Sequence, residues 1–155
     1  MKSRWKPNVT VAAVVEQDGR FLIVEENPQG ITVFNQPAGH LEPDEALVDA
    51  VCREVWEETG WEILPTHLVG IYQYEPPEGG QYLRFAFAAE AVRRHDTALD
   101  PAIVAVHWLT RDELLVRQAR LRSPMVTACI DDYLAGHALP LNALHYLLAT
   151  AQPDA

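Results

Sequence analysis

Acidic residues crowd the stretch "GHLEPDEALVDAVCREVWEETGW", Gly39 to Trp61, which holds seven carboxylates and one arginine. If a helix runs from about Asp44 to Thr59, Glu54, Glu57 and Glu58 stand at i, i+3 and i+4 and share one face. Like charges at this spacing destabilise a helix, and the negative end of the helix dipole adds to the cost in the last turn. The pattern favours a compensating divalent cation such as Mg²⁺, which prefers carboxylate and phosphate oxygens.

An ordinary solvated helix face is the competing interpretation of these glutamates, because acidic residues on helices are most often exposed. The opposite face carries apolar residues at helical spacing and is predicted to pack on the core: Leu47, Val48, Val51 and Val55. The glutamates alone do not separate the two interpretations, so the residues around them must decide.

Those residues resemble the signature of the Nudix hydrolase family, G-x5-E-x7-R-E-U-x-E-E-x-G-U, where U is a bulky apolar residue. Gly39, Glu45 and the run Arg53 to Trp61 match every fixed position. A chance match has a probability on the order of 10⁻⁹ per starting point at average residue usage. The resemblance implies an α/β fold, a Nudix-type α/β/α sandwich with a mixed β-sheet, and hydrolysis of phosphoanhydrides.

The resemblance also implies roles for individual residues. Glu54, Glu57 and Glu58 would ligate Mg²⁺, for which Mn²⁺ can substitute, and the backbone carbonyl of Ala38 would complete the ligand set, where the family often has glycine. Glu45 and Arg53 would form a structural ion pair between loop and helix. These five charged residues form the predicted catalytic set.

Shorter segments, "NQPAGHLE", "YLRF", "HWL" and "LRSP", are similar to the bacterial NudJ-type phosphatases. That similarity implies release of orthophosphate from nucleoside di- and triphosphates and from hydroxymethylpyrimidine pyrophosphate. Two alternatives stay open: a nucleotide-sanitising pyrophosphohydrolase that releases pyrophosphate, and a Nudix-fold module that binds nucleotide without hydrolysing it. A Ca²⁺-binding acidic domain is disfavoured because the D-x-D-x-D-G loop is absent.

Four further residues are predicted to bind substrate. Arg84 lies in the apolar strand "YLRFAF", where a guanidinium must bind either a phosphate or a structural carboxylate. Arg122 and Ser123 precede a helix, so they could bind an anion or simply cap the helix. His40 could donate a hydrogen bond to phosphate or support the loop.

The general base and the residues that stack on the base moiety are not fixed by the sequence. A glutamate of the acidic helix could deprotonate water, and so could acids of two later loops: Glu75, Glu78, Asp96 and Asp100. Aromatic residues that could stack on a ring, or pack in the core or rim, are Trp5, Phe34, Tyr72 and Tyr74. His107 and Trp108 are expected to be structural.

The elements that must position these residues are two hairpins, one further strand and three helices. "VTVAAVV" and "RFLIVEE" are predicted to form an antiparallel hairpin at Asp18-Gly19, and "HLVGIYQYE" and "YLRFAFAAEAV" a second hairpin.

Gly60 is expected to end the acidic helix. "IVAVHWLT" follows as a strand and "RDELLVRQ" as a short helix. The last helix is expected to begin with Ser123 as N-cap and Pro124 as first residue, and to end at Gly136.

The bulk composition sets the remaining expectations. The 155 residues suit one domain, with a core over about residues 8 to 148. A net charge of −10 disfavours nucleic-acid polymers and anionic membranes as partners, which leaves a small phosphate-bearing substrate. Cys52 and Cys129 are expected to be buried free thiols, which fits a cytoplasmic protein. The sequence leaves monomer and homodimer open.

Overall fold

The computed structural model describes residues 3–148 and contains seven strands and three α-helices within that range. The strands are β1 (Asn8–Gln17), β2 (Arg20–Glu26), β3 (Val33–Asn35), β4 (Ala38–His40), β5 (Trp61–Tyr74), β6 (Tyr82–Arg94) and β7 (Ile103–Thr110). The helices are α1 (Leu47–Thr59), α2 (Arg111–Val116) and α3 (Met125–Leu134). None of these helices is long and apolar enough to cross a membrane.

The strands form one mixed sheet in the order β3-β2-β1-β6-β5, with β4 paired to β1 and β7 paired to β2. β1 and β6 run parallel, and the other pairs are antiparallel. Apolar side chains of β1 alternate between the two faces of the sheet: one face packs on α1, the other on α3. The predicted α/β/α sandwich with a mixed sheet is therefore confirmed.

The first predicted hairpin is present only at its turn. Asp18 and Gly19 both have positive φ, 51° and 75°, as a tight hairpin turn requires. Only Glu16↔Phe21 and Gln17↔Arg20 pair between β1 and β2. Beyond them the strands separate, because β1 pairs with β4 and β6 while β2 pairs with β3 and β7.

The acidic helix begins later than the sequence pattern predicts, at Leu47 instead of about Asp44. Asp44 has φ 61°, a left-handed conformation that a right-handed helix cannot include. Glu45 consequently lies in the loop before the helix. Gly60 ends the helix as predicted, with φ 73° and its N–H donating to the carbonyl of Trp56.

The last helix also begins later than expected, with Pro124 as its N-cap and Met125 as its first residue. Ser123 still contributes, because its Oγ accepts a hydrogen bond from the Met125 N–H at 3.2 Å. Gly136 follows the helix with φ 83°. Cys52 and Cys129 are free thiols, as predicted. The prediction that both are buried is confirmed for Cys129 in α3 and wrong for Cys52 in α1, which is only partly buried.

Candidate active site

Glu58, in the last turn of α1, is a buried carboxylate at the junction of helix and sheet. Its residue exposure is 6 %, and its Oε1 accepts a hydrogen bond from the Ala38 N–H of β4 at 2.7 Å. Burial raises the pKa of Glu58 to about 9, and the negative charges of Glu54, Glu26 and Asp100 act in the same direction. This carboxylate therefore lies where a cation would be needed to hold it ionised at neutral pH.

Glu54 lies directly against the backbone of β4. A Cβ atom added to Gly39 would overlap the Glu54 carboxylate, so the absence of a side chain at Gly39 makes this position possible. Burial is the main cause that raises the pKa of Glu54, and the bond from Arg53 opposes it. Glycine at the start of the Nudix signature thus has a packing role here.

Arg53 connects the loop before α1 to the acidic face of the helix. It donates to Glu45 at 2.7 and 3.0 Å and to the His40 carbonyl at 3.1 Å. Its Nη1 donates to Glu54 at 2.9 Å and to Glu57 at 3.2 Å. These bonds raise the pKa of Arg53, and its bonds to Glu45 lower the pKa of that carboxyl. The predicted Glu45–Arg53 ion pair is present.

The three glutamates share one face of α1 but point to different partners. Arg53 binds both Glu54 and Glu57, whereas Glu58 points to β4. In the described side-chain positions of residues 3–148, no three acidic, histidine or cysteine side chains are arranged to hold one metal ion. The chemistry of the donors nevertheless fits Mg²⁺, because two partly or fully buried carboxylates with raised pKa values supply hard oxygen ligands.

A cleft of about 290 Å³ opens beside this acidic group, and Ala38 and Gly39 form part of its wall. Three residues of neighbouring strands lie side by side on its floor. Thr10 of β1 is the register partner of both His40 of β4 and Arg84 of β6. The predicted residues that line the cleft are Ala38, His40, Tyr74, Glu78, Arg84, Arg122 and Ser123. All four predicted substrate-binding residues therefore meet in one place.

Arg84 is 5 % exposed at the floor of this cleft. Its Nη1 donates to Gln36 Oε1 at 3.2 Å, and no carboxylate forms a salt bridge with it among residues 3–148. Burial lowers its pKa. The structural salt bridge considered for Arg84 is not observed in the described part of the chain, and its role in substrate binding stays a prediction.

Arg122 and Ser123 form the rim of the cleft next to α3. Arg122 lines the cleft and has a half-exposed side chain, and its Nη1 lies 3.6 Å from Glu26 Oε2. Ser123 caps the Met125 N–H and also lines the cleft, so the capping role and a binding role are compatible.

Several other predicted residues lie away from the cleft. Trp5 is 63 % exposed and not part of the wall. Phe34 packs near His107 and Arg117, and the Tyr72 hydroxyl donates to Asp132 at 2.6 Å. His107, hydrogen-bonded to Glu25 at 2.7 Å, and Trp108, packed on Trp61, also lie outside the cleft wall, and their structural role stays a prediction.

Of the acids considered as a base, Glu78 lines the cleft, whereas Glu75 and Asp96 do not. Asp100 lies near enough to Glu58 to raise its pKa, and its backbone N–H donates to the Glu57 carbonyl at 2.8 Å. Of these four acids, Glu78 is thus part of the cleft wall and Asp100 lies beside the glutamates of α1.

Sequence reasoning missed six residues of the cleft wall: Thr10, Glu26, Asn35, Pro76, Tyr82 and Met125. Thr10 and Asn35 interrupt or end apolar strands, which is the one local signal they carry. Their meeting depends on β1 and β3 lying on either side of the same opening, and strand pairing of this kind is not readable from spacing.

Comparison with known proteins agrees with this geometry. The NUDIX domain family matches residues 5–128. The chain is 42% identical over 145 residues to the proteins called Phosphatase NudJ of Escherichia coli strain K12 and Shigella sonnei strain Ss046, covering 90% of this chain and 92% of each of theirs.

Solved structures give the same result. A NUDIX hydrolase from Nitrosomonas europaea is 50% identical and superposes with a TM-score of 0.89, over 92% of this chain and 98% of that one. The E. coli ORF135 protein is 27% identical with a TM-score of 0.67, over 84% and 90% of the two chains. With a complete signature, the expected sandwich and these relatives, the chain belongs to the Nudix family and is a Nudix hydrolase.

Proposed function

We propose that this Nudix hydrolase is a Mg²⁺-dependent phosphatase that releases orthophosphate from small di- and triphosphates, namely nucleoside di- and triphosphates and hydroxymethylpyrimidine pyrophosphate. The observation that carries the proposal is the position of Glu54 and Glu58 against Gly39 and Ala38, which also line the cleft that contains Arg84 and Arg122. Arg84 and Arg122 would supply positive charge to an anionic group bound in this cleft. The similarity to proteins named Phosphatase NudJ supports orthophosphate as the product.

The carboxylates of Glu54, Glu57 and Glu58, with the carbonyl of Ala38, would hold Mg²⁺, for which Mn²⁺ can substitute. When bound, the ion would supply positive charge that neutralises phosphate oxygens and activates water. Arg53 would hold the loop before α1 against the acidic face of the helix through its hydrogen bonds to Glu45 and to the His40 carbonyl.

The substrate is bound by groups that already face the cleft. Arg122, the Ser123 hydroxyl and His40 are proposed to bind phosphate oxygens at the rim, and Arg84 is proposed to bind substrate at the floor. A carboxylate among Glu54, Glu57 and Glu58, or Glu78 or Asp100 from the loops, is proposed to accept the proton of the attacking water. We further propose that the enzyme acts in the cytoplasm as a monomer or homodimer, without a nucleic-acid polymer or membrane as partner.

Replacement of Glu57 by Gln tests the proposal. The Glu57 side chain is 45 % exposed, so the substitution is expected to leave folding unchanged while it removes one proposed ligand. Turnover should fall by more than the roughly 10–100-fold that loss of an outer-shell partner costs a metal site. Glu62→Gln, which neutralises a half-exposed glutamate outside the signature, serves as the matched control and should keep wild-type turnover.

The products are measured by ion chromatography after incubation of GTP and of hydroxymethylpyrimidine pyrophosphate with Mg²⁺ or with EDTA. Orthophosphate formed only with Mg²⁺ is the expected result. Pyrophosphate released from GTP would instead assign the enzyme to the nucleotide-sanitising pyrophosphohydrolases. Binding of nucleotide without any product would identify a non-catalytic module, and wild-type turnover in Glu57→Gln would contradict the metal assignment.

A further inference from the structure

A short basic segment, residues 3–7, precedes β1, and we call it the basic arm. It carries Arg4 and Lys6 in a chain that has a net charge of −10 and only 12 basic residues. Both side chains are exposed, and neither forms an ion pair among residues 3–148. Within the described chain, these two cations are therefore available to an anionic ligand.

The basic arm is attached to the sheet beside the cleft wall. Asn8, the first residue of β1, is the register partner of Tyr82 at the start of β6, and Tyr82 pairs with Tyr74 at the end of β5. Both tyrosines line the cleft. The Asn8 N–H donates to the Gln81 carbonyl at 2.9 Å, which ties the base of the arm to the loop between β5 and β6.

The start of β1 also lies beside the elements that carry the proposed metal ligands. The Leu41 N–H, directly after the end of β4, donates to the Val9 carbonyl at 3.0 Å. Arg53 donates to the His40 carbonyl at 3.1 Å and to Glu54 at 2.9 Å. The end of β4 and Arg53 thus connect the base of the arm to the acidic face of α1.

The two cations of the arm lie within reach of a ligand in the cleft. Lys6 precedes Thr10 of the cleft floor by four residues, which span at most roughly 14 Å of extended chain. Arg4 precedes Thr10 by six residues, or at most roughly 22 Å. Both side chains are long and flexible, so their charged groups can approach an anion at the edge of the cleft.

A phosphate-bearing substrate meets an unfavourable field on this side of the molecule. The stretch from Gly39 to Trp61 holds seven carboxylates and one arginine, and Glu26 and Glu78 line the cleft. Cations beside a cleft raise the local concentration and the association rate of an anion. Exposed charges act over about one Debye length, roughly 10 Å at 0.1 M salt, so distant arginines cannot replace the arm.

We propose that Arg4 and Lys6 are further substrate-binding residues, which attract the phosphate chain and bind its outermost phosphate while the substrate lies in the cleft. The inference rests on the proposed function only in requiring that the substrate carries phosphates. The arm recognises the charge of the phosphate end and not the rest of the molecule, so an inorganic phosphate chain is sufficient to test it.

The test measures the Kd of inorganic imidodiphosphate and of the β,γ-imido analogue of GTP with Mg²⁺ by isothermal titration calorimetry. The salt concentration is set to about 0.01 M and about 1 M, where the Debye length is roughly 30 Å and 3 Å. Arg4→Gln and Lys6→Gln each remove one charge of the arm, whereas Arg4→Lys and Lys6→Arg keep it. Arg20→Gln is the matched control, because Arg20 pairs with Gln17 at the far end of β1, nine residues and roughly 30 Å from Asn8.

At low salt, each glutamine variant should bind both probes roughly twofold to fivefold more weakly, as expected for an exposed ion pair. The difference from the wild type should disappear at high salt, since exposed charges are then screened. Arg4→Lys, Lys6→Arg and Arg20→Gln should bind like the wild type at both salt concentrations. The Tm of every arm variant without ligand should equal that of the wild type, because the two side chains have no described partner in the fold.

Unchanged binding of both probes in Arg4→Gln and Lys6→Gln at low salt would overturn the proposal. Equal weakening in Arg20→Gln would also overturn it, by assigning the effect to the net charge of the protein. Weakening that persists at high salt together with a lower Tm would show a structural role instead. Because binding alone is measured, a protein that shows the predicted charge dependence but hydrolyses nothing would support this inference while contradicting the proposed function.

Discussion

Gly39 allows the carboxylate of Glu54 to lie against the backbone of β4. Its φ is not in the left-handed region, so the requirement for glycine at this residue is one of space and not of backbone conformation. The same pair brings the acidic face of α1 next to the cleft wall. At this scale, one missing Cβ atom determines where a proposed metal ligand lies.

Replacing Gly39 by Ala should therefore move Glu54 and reduce turnover. The added methyl group meets only the far end of the flexible Glu54 side chain, so we expect a loss in the free energy of unfolding at the low end of the range for overpacking, about 1 kcal/mol. A double-mutant cycle with Glu54→Ala, measured by urea denaturation, isolates the contact. In the Glu54→Ala background the same Gly39→Ala change should cost much less, and an equal cost in both backgrounds would refute this explanation.

At the scale of elements, α1 must end directly after the turn that carries Glu57, bound to Arg53, and Glu58, bound to β4. Gly60 provides this end with φ 73°, and a Cβ atom there would stand 2.9 Å from the His95 carbonyl oxygen. The helix stop and the close approach of the His95 segment both require glycine. The last turn of α1, which carries the two glutamates, therefore depends on a residue outside the helix.

Gly60→Ala should destabilise the protein by more than the about 1–2 kcal/mol that a left-handed conformation costs an L-residue. Gly79→Ala is the matched control, since Gly79 has φ 94° but no atom within 4 Å of its added Cβ. The difference between the two variants in the loss of free energy of unfolding, measured by urea denaturation, gives the cost of the contact with the His95 carbonyl. Equal losses in both variants would show that this contact does not contribute to the destabilisation.

At the scale of the whole molecule, the cleft is assembled from strands and helices that are far apart in sequence. β1, β3, β4 and β6 supply its floor, and the segment before α3 supplies its rim. α2 and α3 are tied together by Arg111, which donates to Asp131 at 2.7 and 2.9 Å. The position of the rim depends on such contacts between elements.

The Arg111–Asp131 pair predicts a pH dependence. The bonds from Arg111 hold the pKa of Asp131 below its ordinary value of 3.8. The ion pair therefore contributes its full stabilisation of the folded protein at pH values above the ordinary pKa of Asp131. This contribution is lost as the pH falls through the lower pKa that Asp131 has in the folded state. Asp131→Asn should be less stable than the wild type at neutral pH by less than about 1 kcal/mol, because the pair is largely exposed.

Urea denaturation of both proteins from neutral pH down to below about pH 4 checks this expectation. The difference in free energy of unfolding between the wild type and Asp131→Asn should become smaller at the lowest pH values. Asp96→Asn, an exposed aspartate with no hydrogen bond or ion pair in the described chain, should follow the wild type throughout. A difference that stays constant with pH would contradict an ionic origin.

The residues with fixed local spacing could be predicted from the sequence. Glu54, Glu57 and Glu58 share a helix face because helical periodicity requires it, and Gly60 ends the helix because few other residues adopt a left-handed conformation. The alternation of apolar residues likewise predicted most strands. Local geometry decides these features, so short segments of sequence contain them.

Tertiary structure alone decided which distant residues meet. The pairing of β1 with β6 instead of along the length of β2 places Thr10 beside Arg84, and no local pattern encodes that register. The left-handed Asp44 delays the helix and leaves Glu45 in the loop, where it binds Arg53. Sequence spacing fixes what lies within a few turns of one element, whereas the cleft depends on long-range strand pairing and burial that only the folded chain determines.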